Sequence, residues 1–484
     1  MINRKELLVF EKEEIIDFFI TIIKEMTETI NQQAEEIAEL KTRLNKNSKN
    51  SSKPPTSDGY RKPSPKSLRK PGERKPGGQP GHKGHGIQLP DKIDEIGVIT
   101  RSHCRDCGTV LEPHGGEAIE SRYVIDLPQI KTNCTRLDRL RIPCSECEAI
   151  NEGVYPEGVN GTVQYGGNLK AFAAMLIDYG MVSLSRTSEI LRGAFGVTIC
   201  PGTLHSIMSE CSLRVSETVA TIREALMQSP VTNHDETGFR VNGKLHWLHS
   251  ASNEKFTYMS IHPKRGVDGI EHNGVLPGYT GIAVHDCYSS YFKFNDCSHS
   301  LCNAHLLREL QGLYEETGQS WCNTLSGLIV DLKNKVEHCK SNGIDTLPAD
   351  FIQKMYESYD NILDEGFSLN PIPEIEPGKR GKPKRGKARC LLDRLRLHKD
   401  KYLFFTRDFR VPFDNNQAER DIRIAKVKQK VSGGLRTLEG AASFSKITSF
   451  IQTARKHGLS IFHALRSAFL EHHSSASFLL LSCD

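Results

Sequence analysis

The stretch VTNHDETGF, residues 231–239, runs from a β-branched lead-in to two adjacent carboxylates, Asp235 and Glu236, and then to a glycine. Further on, GIAVHDCYSSYF (281–292) repeats the plan, with Ile282, Ala283 and Val284 leading to His285 and Asp286. Two strands that each finish on an aspartate place both side chains at one sheet edge when the strands are neighbours. A third acid comes from VPFDNNQAERDIR (411–423), where Asp414 or Asn415 can cap a helix and Glu419 falls on its early turns, with Arg420, Arg423 and Lys426 beyond it. Singly, each acid fits a surface turn or a cap. Jointly, three carboxylates from two strands and a helix suit paired Mg²⁺, which takes oxygen ligands in octahedral geometry and leaves positions to water and phosphate. Two such ions about 4 Å apart serve in-line displacement at phosphorus.

Around these acids the sequence reads as β-rich. PVTNHDETGFRV, KLHWLHSAS, FTYMSIH and TGIAVHDCYSSY have the composition of short strands, with a turn at Val241-Asn242-Gly243-Lys244. After a fifth strand candidate, HSLCNAHLLREL, the chain reads as helical to about residue 405, and again from Asn415 to about His473. The expectation is a mixed α/β domain made of residues 229–305 and 411–484, interrupted by a helical insertion, 306–410. Upstream, 161–228 reads as helical, since NLKAFAAMLIDYG, LSRTSEILRGAFG and PGTLHSIMSECSLRV combine helical apolar spacing, glycine stops and a first-turn proline. Its helix, Gly196 turn and helix match a helix-turn-helix outline, which many unrelated helix pairs share.

The chain has 484 residues, enough for three or four domains, with 37% hydrophobic content. No apolar run approaches the ~18 residues that span a bilayer. The start, MINRKELLVFEKEE, lacks a signal-peptide pattern, so a cytoplasmic protein is expected. In that compartment the 14 cysteines are read first as metal ligands. Within a small module, 87–160, CRDC (Cys104, Cys107) and CSEC (Cys144, Cys147) form two C-x-x-C knuckles, which suit one structural Zn²⁺. SRYVIDLPQI and CTRLDRLRIPC between them read as strands, and His103 and His114 are alternative ligands. A second cluster, CSHSLCNAH, has metal-like spacing in Cys297, His299, Cys302 and His305. Alternating strand faces favour core packing instead, with Cys302 and His305 in a supporting hydrogen-bond role. His234 and His285 read as positioning residues, Trp247 and Trp321 as core.

The net charge of +5 conceals an asymmetry, because residues 46–86 hold eleven Lys and Arg against two acids. This arm, rich in Lys, Ser, Pro and Gly, is expected to be disordered when free. Lys62, Lys66, Arg69, Lys70, Arg74, Lys75 and Lys83 would meet phosphates, giving salt-sensitive affinity with little base specificity. Before it, within 1–45, Ile16, Ile23, Ile30, Ile37 and Leu44 recur every seven residues, with Phe19, Met26 and Leu40 at the complementary positions and Gln33 as the polar exception. That repeat predicts a coiled coil and a homo-oligomer.

The motifs NSKNSSKPPTSD, KPGGQPGHKGHG, CRDC…CSEC, HDETGFRVNGKLHWLH, HDCYSSY, CNAHLLREL and VPFDNNQAERDIRIAKVKQKVSGGLRT run through nearly the whole chain. Together they closely resemble the transposases of the insertion sequence 66 family. The resemblance implies a multidomain α+β protein: an N-terminal coiled coil, a zinc-ribbon-like module, a helical DNA-binding region, and a catalytic domain of ribonuclease-H-like fold with a helical insertion. It implies a triad of Asp235, Asp286 and Glu419 holding two Mg²⁺ (or Mn²⁺) ions, cleavage of double-stranded DNA at transposon ends, and transfer of the freed 3′-hydroxyl strand into target DNA. Water is the first nucleophile and that hydroxyl the second. Arg420, Lys426, Lys428 and Lys430 would line DNA near the site. Glu236 would lie behind the ligands or in solvent, while Asp414 and Asp421 would be cap and solvent residues. Small accessory proteins of the same element are the implied partners, in a nucleoid-associated cytoplasmic setting. Two alternatives keep the same residues: a DNA-binding derivative without chemistry, and a ribonuclease-H-like nuclease that does not join strands.

Overall fold

The structure, a computed structural model, describes residues 12–45, 50, 92–112, 118–127, 132–372 and 385–470. The expected arm cations Lys62, Lys66, Arg69, Lys70, Arg74, Lys75 and Lys83, and also His114, lie outside the described residues. Helix α1 is Lys12–Asn45. Its heptad residues Ile16, Ile23, Ile30 and Ile37 are each more than half exposed, so the apolar stripe faces solvent in the single chain. Strands β1 (Arg141–Pro143) and β2 (Ile150–Glu152) form an antiparallel pair flanking the second knuckle. Among the described residues of the two expected strands, 121–127 and 134–144, only Arg141–Pro143 pairs, and the rest is irregular and mostly exposed; residues 128–130 lie outside the described residues.

Four helices follow: α2 (Gly167–Ala174), continued by a π-helical turn at Met175–Tyr179, then α3 (Leu184–Phe195), α4 (Pro201–Arg214) and α5 (Ser216–Met227). Local chemistry sets their ends. Ser183 caps α3 by accepting from Arg186 N, Gly196 closes it at φ +68°, and Pro201 opens α4 where no backbone donor is needed.

The sheet comprises β3 (Val231–Val241), β4 (Lys244–Ser252), β5 (Thr257–His262), β6 (Ile282–His285) and β7 (Ser298–Leu301), with α6 (Val267–Asn273) between β5 and β6. Its order is β5-β4-β3-β6-β7, with β3–β4–β5 antiparallel and β6 and β7 parallel to β3. Asn242 and Gly243 both take positive φ, +48° and +72°, the hairpin turn that the Asn-Gly pair predicts. Contrary to expectation, Asp235 does not end its strand. β3 runs on to Val241 because Phe239 and Val241 still alternate into the core and the turn lies beyond them. What ends near Asp235 is the parallel pairing with β6, whose last rung is Asn233 with Val284.

Then come α7 (Asn303–Thr317), α8 (Ser320–Ser341), α9 (Ala349–Leu369), α10 (Lys387–Leu397), the short α11 (Lys399–Tyr402), α12 (Asn416–Ser432), α13 (Leu438–Lys456) and α14 (Ile461–Leu470). Among the described residues four packed regions hold the sheet, one of them a small cluster in which Ala283 of β6 meets Ile270, Leu276, Tyr279 and Tyr291. One face, through Phe239, Leu248 and Met259, meets Ile422 and Ala425 of α12 and Phe444 of α13. Helices α2–α5 share a core with α13 and α14, joining Leu191, Leu204 and Ile222 to Ile447, Phe450 and Leu465. The fourth region packs β6 and β7 against α7–α10 around the fully buried Trp321. Among the described residues no helix is long and apolar enough to cross a membrane.

Candidate active site

Three elements deliver the acids. β3 carries Asp235, the residue after β6 is Asp286, and the first turn of α12 carries Glu419. One residue ties α12 to β3. Asn415, 1% exposed, accepts from Asn233 Nδ2 at 2.9 Å and donates to the His234 carbonyl at 2.7 Å. Its backbone N–H points at Cys302 Sγ at 3.2 Å, and its carbonyl accepts from Glu419 N at 3.2 Å. The start of α12 is thereby pinned to β3 beside Asp235 and to the end of β7. Asn303 continues the seam by donating to the Tyr402 and Phe413 carbonyls at 3.0 and 3.3 Å.

The electrostatics follow from burial among like charges. Burial, with the charges of Glu236, Asp286 and Glu419, holds Asp235 well above the ordinary carboxylate range, although its Oδ1 accepts from Glu236 N at 2.9 Å. Asp286 Oδ1 is fixed by Tyr288 N at 3.0 Å. Glu419 Oε1 lies 3.6 Å from His305 Nδ1 and 3.8 Å from Arg308, and it has no hydrogen bond although the atom is buried. Half-buried carboxylates with an oxygen left over are the donor type that suits divalent cations, although among the described residues the oxygens of Asp235, Asp286 and Glu419 do not fall into one group within 4.8 Å. Asp286 and His305 also line one cavity of about 170 Å³, together with Arg265, Glu309 and Arg394.

Glu236 is not exposed. It is buried, held by Arg265 at 2.8 Å and by the Tyr291 hydroxyl at 2.5 Å. Burial and the Asp286 charge raise its proton affinity, while Tyr291 and Arg265 oppose that. Arg265 lies 4.2 Å from the Tyr288 ring centroid and 5.0 Å from that of Trp247. Buried histidines back the acids: burial presses His234 down to about 3 and His285 well below its usual value, and His285 Nε2 pairs with His299 Nδ1 at 2.9 Å.

Two expectations need correction. Lys428 does not face outward: it is 6% exposed and donates to the Ile177 carbonyl at 3.1 Å, near a buried Asp178 that burial pushes up to about 7. Asp421 is buried too, paired with Lys456 at 2.7 Å. Both fall on the face of α12 that packs inward. Arg420 and Lys430 are exposed, and Lys426 is half-buried, its ammonium donating to the Gly238 carbonyl. The N-cap of α12 is Asn415, without a side-chain cap bond, and Asp414 just before it accepts from Asn416 N at 3.0 Å.

The knuckles have matching turns. Cys104 N donates to Thr109 O and Gly108 N to Cys104 O; Cys144 N donates to Ala149 O and Glu148 N to Cys144 O. The Thr109 hydroxyl and N–H hold the Cys107 thiol down to about 7, and the Glu146 and Cys147 backbone N–H groups lower Cys144. Among the described residues, the four thiols do not fall into one group of donors within 4.8 Å, nor do Cys297 and His299 join Cys302 and His305. Such a group does form from Cys302, His305 and Glu419. Burial pushes the Cys302 thiol up to about 12, against the pull of the Asn415 and His305 N–H groups. Arg265, Tyr291 and the bridging role of Asn415 are the contributors that sequence reasoning missed. Only the Asn415-Asn416 pair at the start of α12 gave any signal.

Comparison with known proteins places these residues in context. Residues 163–443, more than half of the chain, match the family described as Transposase IS66 family, and residues 8–88 match a family of unknown function. No curated protein matches. Among solved structures, a chain of the simian T-cell lymphotropic virus intasome in complex with PP2A regulatory subunit B56 gamma is similar at 12% identity, covering 44% of this chain and 78% of that chain, with a TM-score of 0.13. A likeness that slight carries no argument.

Proposed function

This chain belongs to the IS66 transposase family, and from that premise we propose that it cleaves DNA at transposon ends and joins the freed strand to target DNA, with Asp235, Asp286 and Glu419 as the catalytic acids. What supports the reading is that Glu236, Asp286 and Glu419, reaching Asp235 from β3, the end of β6 and α12, raise its proton affinity together with burial. We read the five-stranded sheet, with its acid-bearing first and fourth strands adjacent, as a ribonuclease-H-like core. The three carboxylates would hold a pair of Mg²⁺ or Mn²⁺ ions, which when bound activate the attacking oxygen and stabilise the leaving one. The chain's own residues do the rest. Asn415 sets Glu419 against β3, Tyr291 and Arg265 keep Glu236 behind the ligands, and the neutral histidines add no competing positive charge. Arg420 and Lys430 stand exposed on the same helix to meet phosphates, alongside the basic arm.

The remaining modules extend this reading. The exposed stripe of α1 is suited to a second copy of the same helix, so self-association through it is part of the proposal. One Zn²⁺ would draw Cys104, Cys107, Cys144 and Cys147 together and order a segment that buries little of its own surface. Small accessory proteins would complete the assembly. The test uses purified full-length protein and element-end DNA. Mg²⁺-dependent nicking and strand-transfer products are expected, both lost in Asp286→Asn while DNA binding persists. Unchanged nicking by that variant would remove the triad assignment, and nicks without joined products would leave a nuclease.

A further inference from the structure

Cys302, His305 and Glu419 meet because two helix starts converge. Cys302 precedes α7, His305 sits in its first turn, and Glu419 occupies the first turn of α12. Their donor atoms all lie within 4.8 Å of one another. His305 Nδ1 and Glu419 Oε1 face each other at 3.6 Å, and both are buried atoms without a hydrogen-bond partner. Such atoms ask for a third group between them. The sulfur completes the tripod, with the Asn415 N–H directed at it from 3.2 Å.

The donor set is sulfur, nitrogen and oxygen. Mg²⁺ seeks oxygen alone, whereas this mixture selects a borderline-soft ion. With bonds of about 2.0–2.3 Å to zinc, tetrahedral donors stand roughly 3.5 Å apart, so small side-chain rotations close the tripod. We infer that Cys302, His305 and Glu419 form a site for a zinc-class divalent ion, and that an ion held there withdraws Glu419 from the Mg²⁺ pair and stops the enzyme. The binding half stands on geometry alone; the inhibitory half rests on the catalytic reading above.

The test takes the full-length chain with Cys104, Cys107, Cys144 and Cys147 all changed to Ser, which silences the knuckle thiols, and titrates it with Co²⁺ as a spectroscopic probe. One equivalent with a thiolate charge-transfer band is expected. Adding Cys302→Ser removes the band, and His305→Gln weakens binding by at least about tenfold. A missing band, or one that persists without Cys302, overturns the site. In the otherwise unaltered chain, Zn²⁺ is expected to suppress Mg²⁺-dependent nicking. Cobalt binding through Cys302 without such suppression overturns the inhibitory half. If Co²⁺ binds as expected but no preparation nicks DNA with Mg²⁺, the catalytic reading and the inhibitory half built on it fail while the site stands.

Discussion

The helix that carries Glu419 is anchored by a buried ion pair, and breaking that pair from one side is a stringent perturbation. Asp421 and Lys456 are 8% and 12% exposed and 2.7 Å apart. Asp421 Oδ2 also accepts from Thr257 at 3.2 Å and Gln417 at 3.0 Å, while Lys456 donates to the Asn253 and Phe256 carbonyls at 2.7 and 3.0 Å. The pair thus clamps α12, α13 and the entry to β5. Burial already lowers Lys456 below its usual range, and the Asp421 charge opposes that. Asp421→Asn keeps the shape but leaves the ammonium against a neutral amide. Removing one partner of a buried pair costs about 3–5 kcal/mol. Because Lys456 keeps two carbonyl acceptors, the lower end applies, about 3 kcal/mol. Hydrogen exchange followed by peptide mass spectrometry reads this locally: amides of α12 and α13 should exchange about 100-fold faster, at 1.4 kcal/mol per decade. Asp421→Leu with Lys456→Met should recover all but about 1 kcal/mol, since an apolar pair has no charge to strand. Acceleration below about fivefold in Asp421→Asn, or a double variant no better than the single, would refute the clamp.

The acid cluster yields a pH-dependent result. Asp235 is held above its unfolded value, so it adds stability below the ordinary carboxylate range and loses it as pH rises through the folded value. In chelator, Asp235→Asn should therefore melt higher than the unaltered chain, by a margin that grows toward alkaline pH, and Mg²⁺ should raise the melting temperature of the unaltered chain alone. A lower melting point for Asp235→Asn in chelator refutes this. The cations of α12 should separate by burial. Lys430→Ala should reduce the salt slope of DNA binding by about one, whereas Lys428→Met should leave the slope intact and, by stranding the Ile177 carbonyl, cost about 1–3 kcal/mol of stability on urea unfolding. In the second knuckle Glu148 takes φ +58°, where the first knuckle has Gly108 at φ +73°. Glu148→Gly should relieve about 0.5–1 kcal/mol of strain, seen as slower amide exchange across 144–149.

The positions of the acids were legible because each follows an apolar run or a cap, and such signals are local. The extent of β3 was also there to be read. Phe239 and Val241 keep the two-residue alternation as far as the Asn-Gly turn, and stopping the strand at the carboxylates gave their charge more weight than that pattern. What no local signal carries is the partner across the fold. Asn415 reaches a residue 182 positions away, and Glu236 is buried only because Tyr291 and Arg265 close over it. Lys428 shows where the line falls. On paper it resembles Lys430, yet Ala418, Ile422 and Ala425 mark the buried stripe of α12, and Asp421 and Lys428 stand four before and three after Ala425. Helical spacing alone therefore puts them on the inward face, where a charge survives only if something answers it. Glu419, next to that stripe but off it, keeps an unanswered oxygen. In a helix whose other acid, Asp421, is answered by Lys456, that leftover oxygen is what the proposed metal role of Glu419 would use.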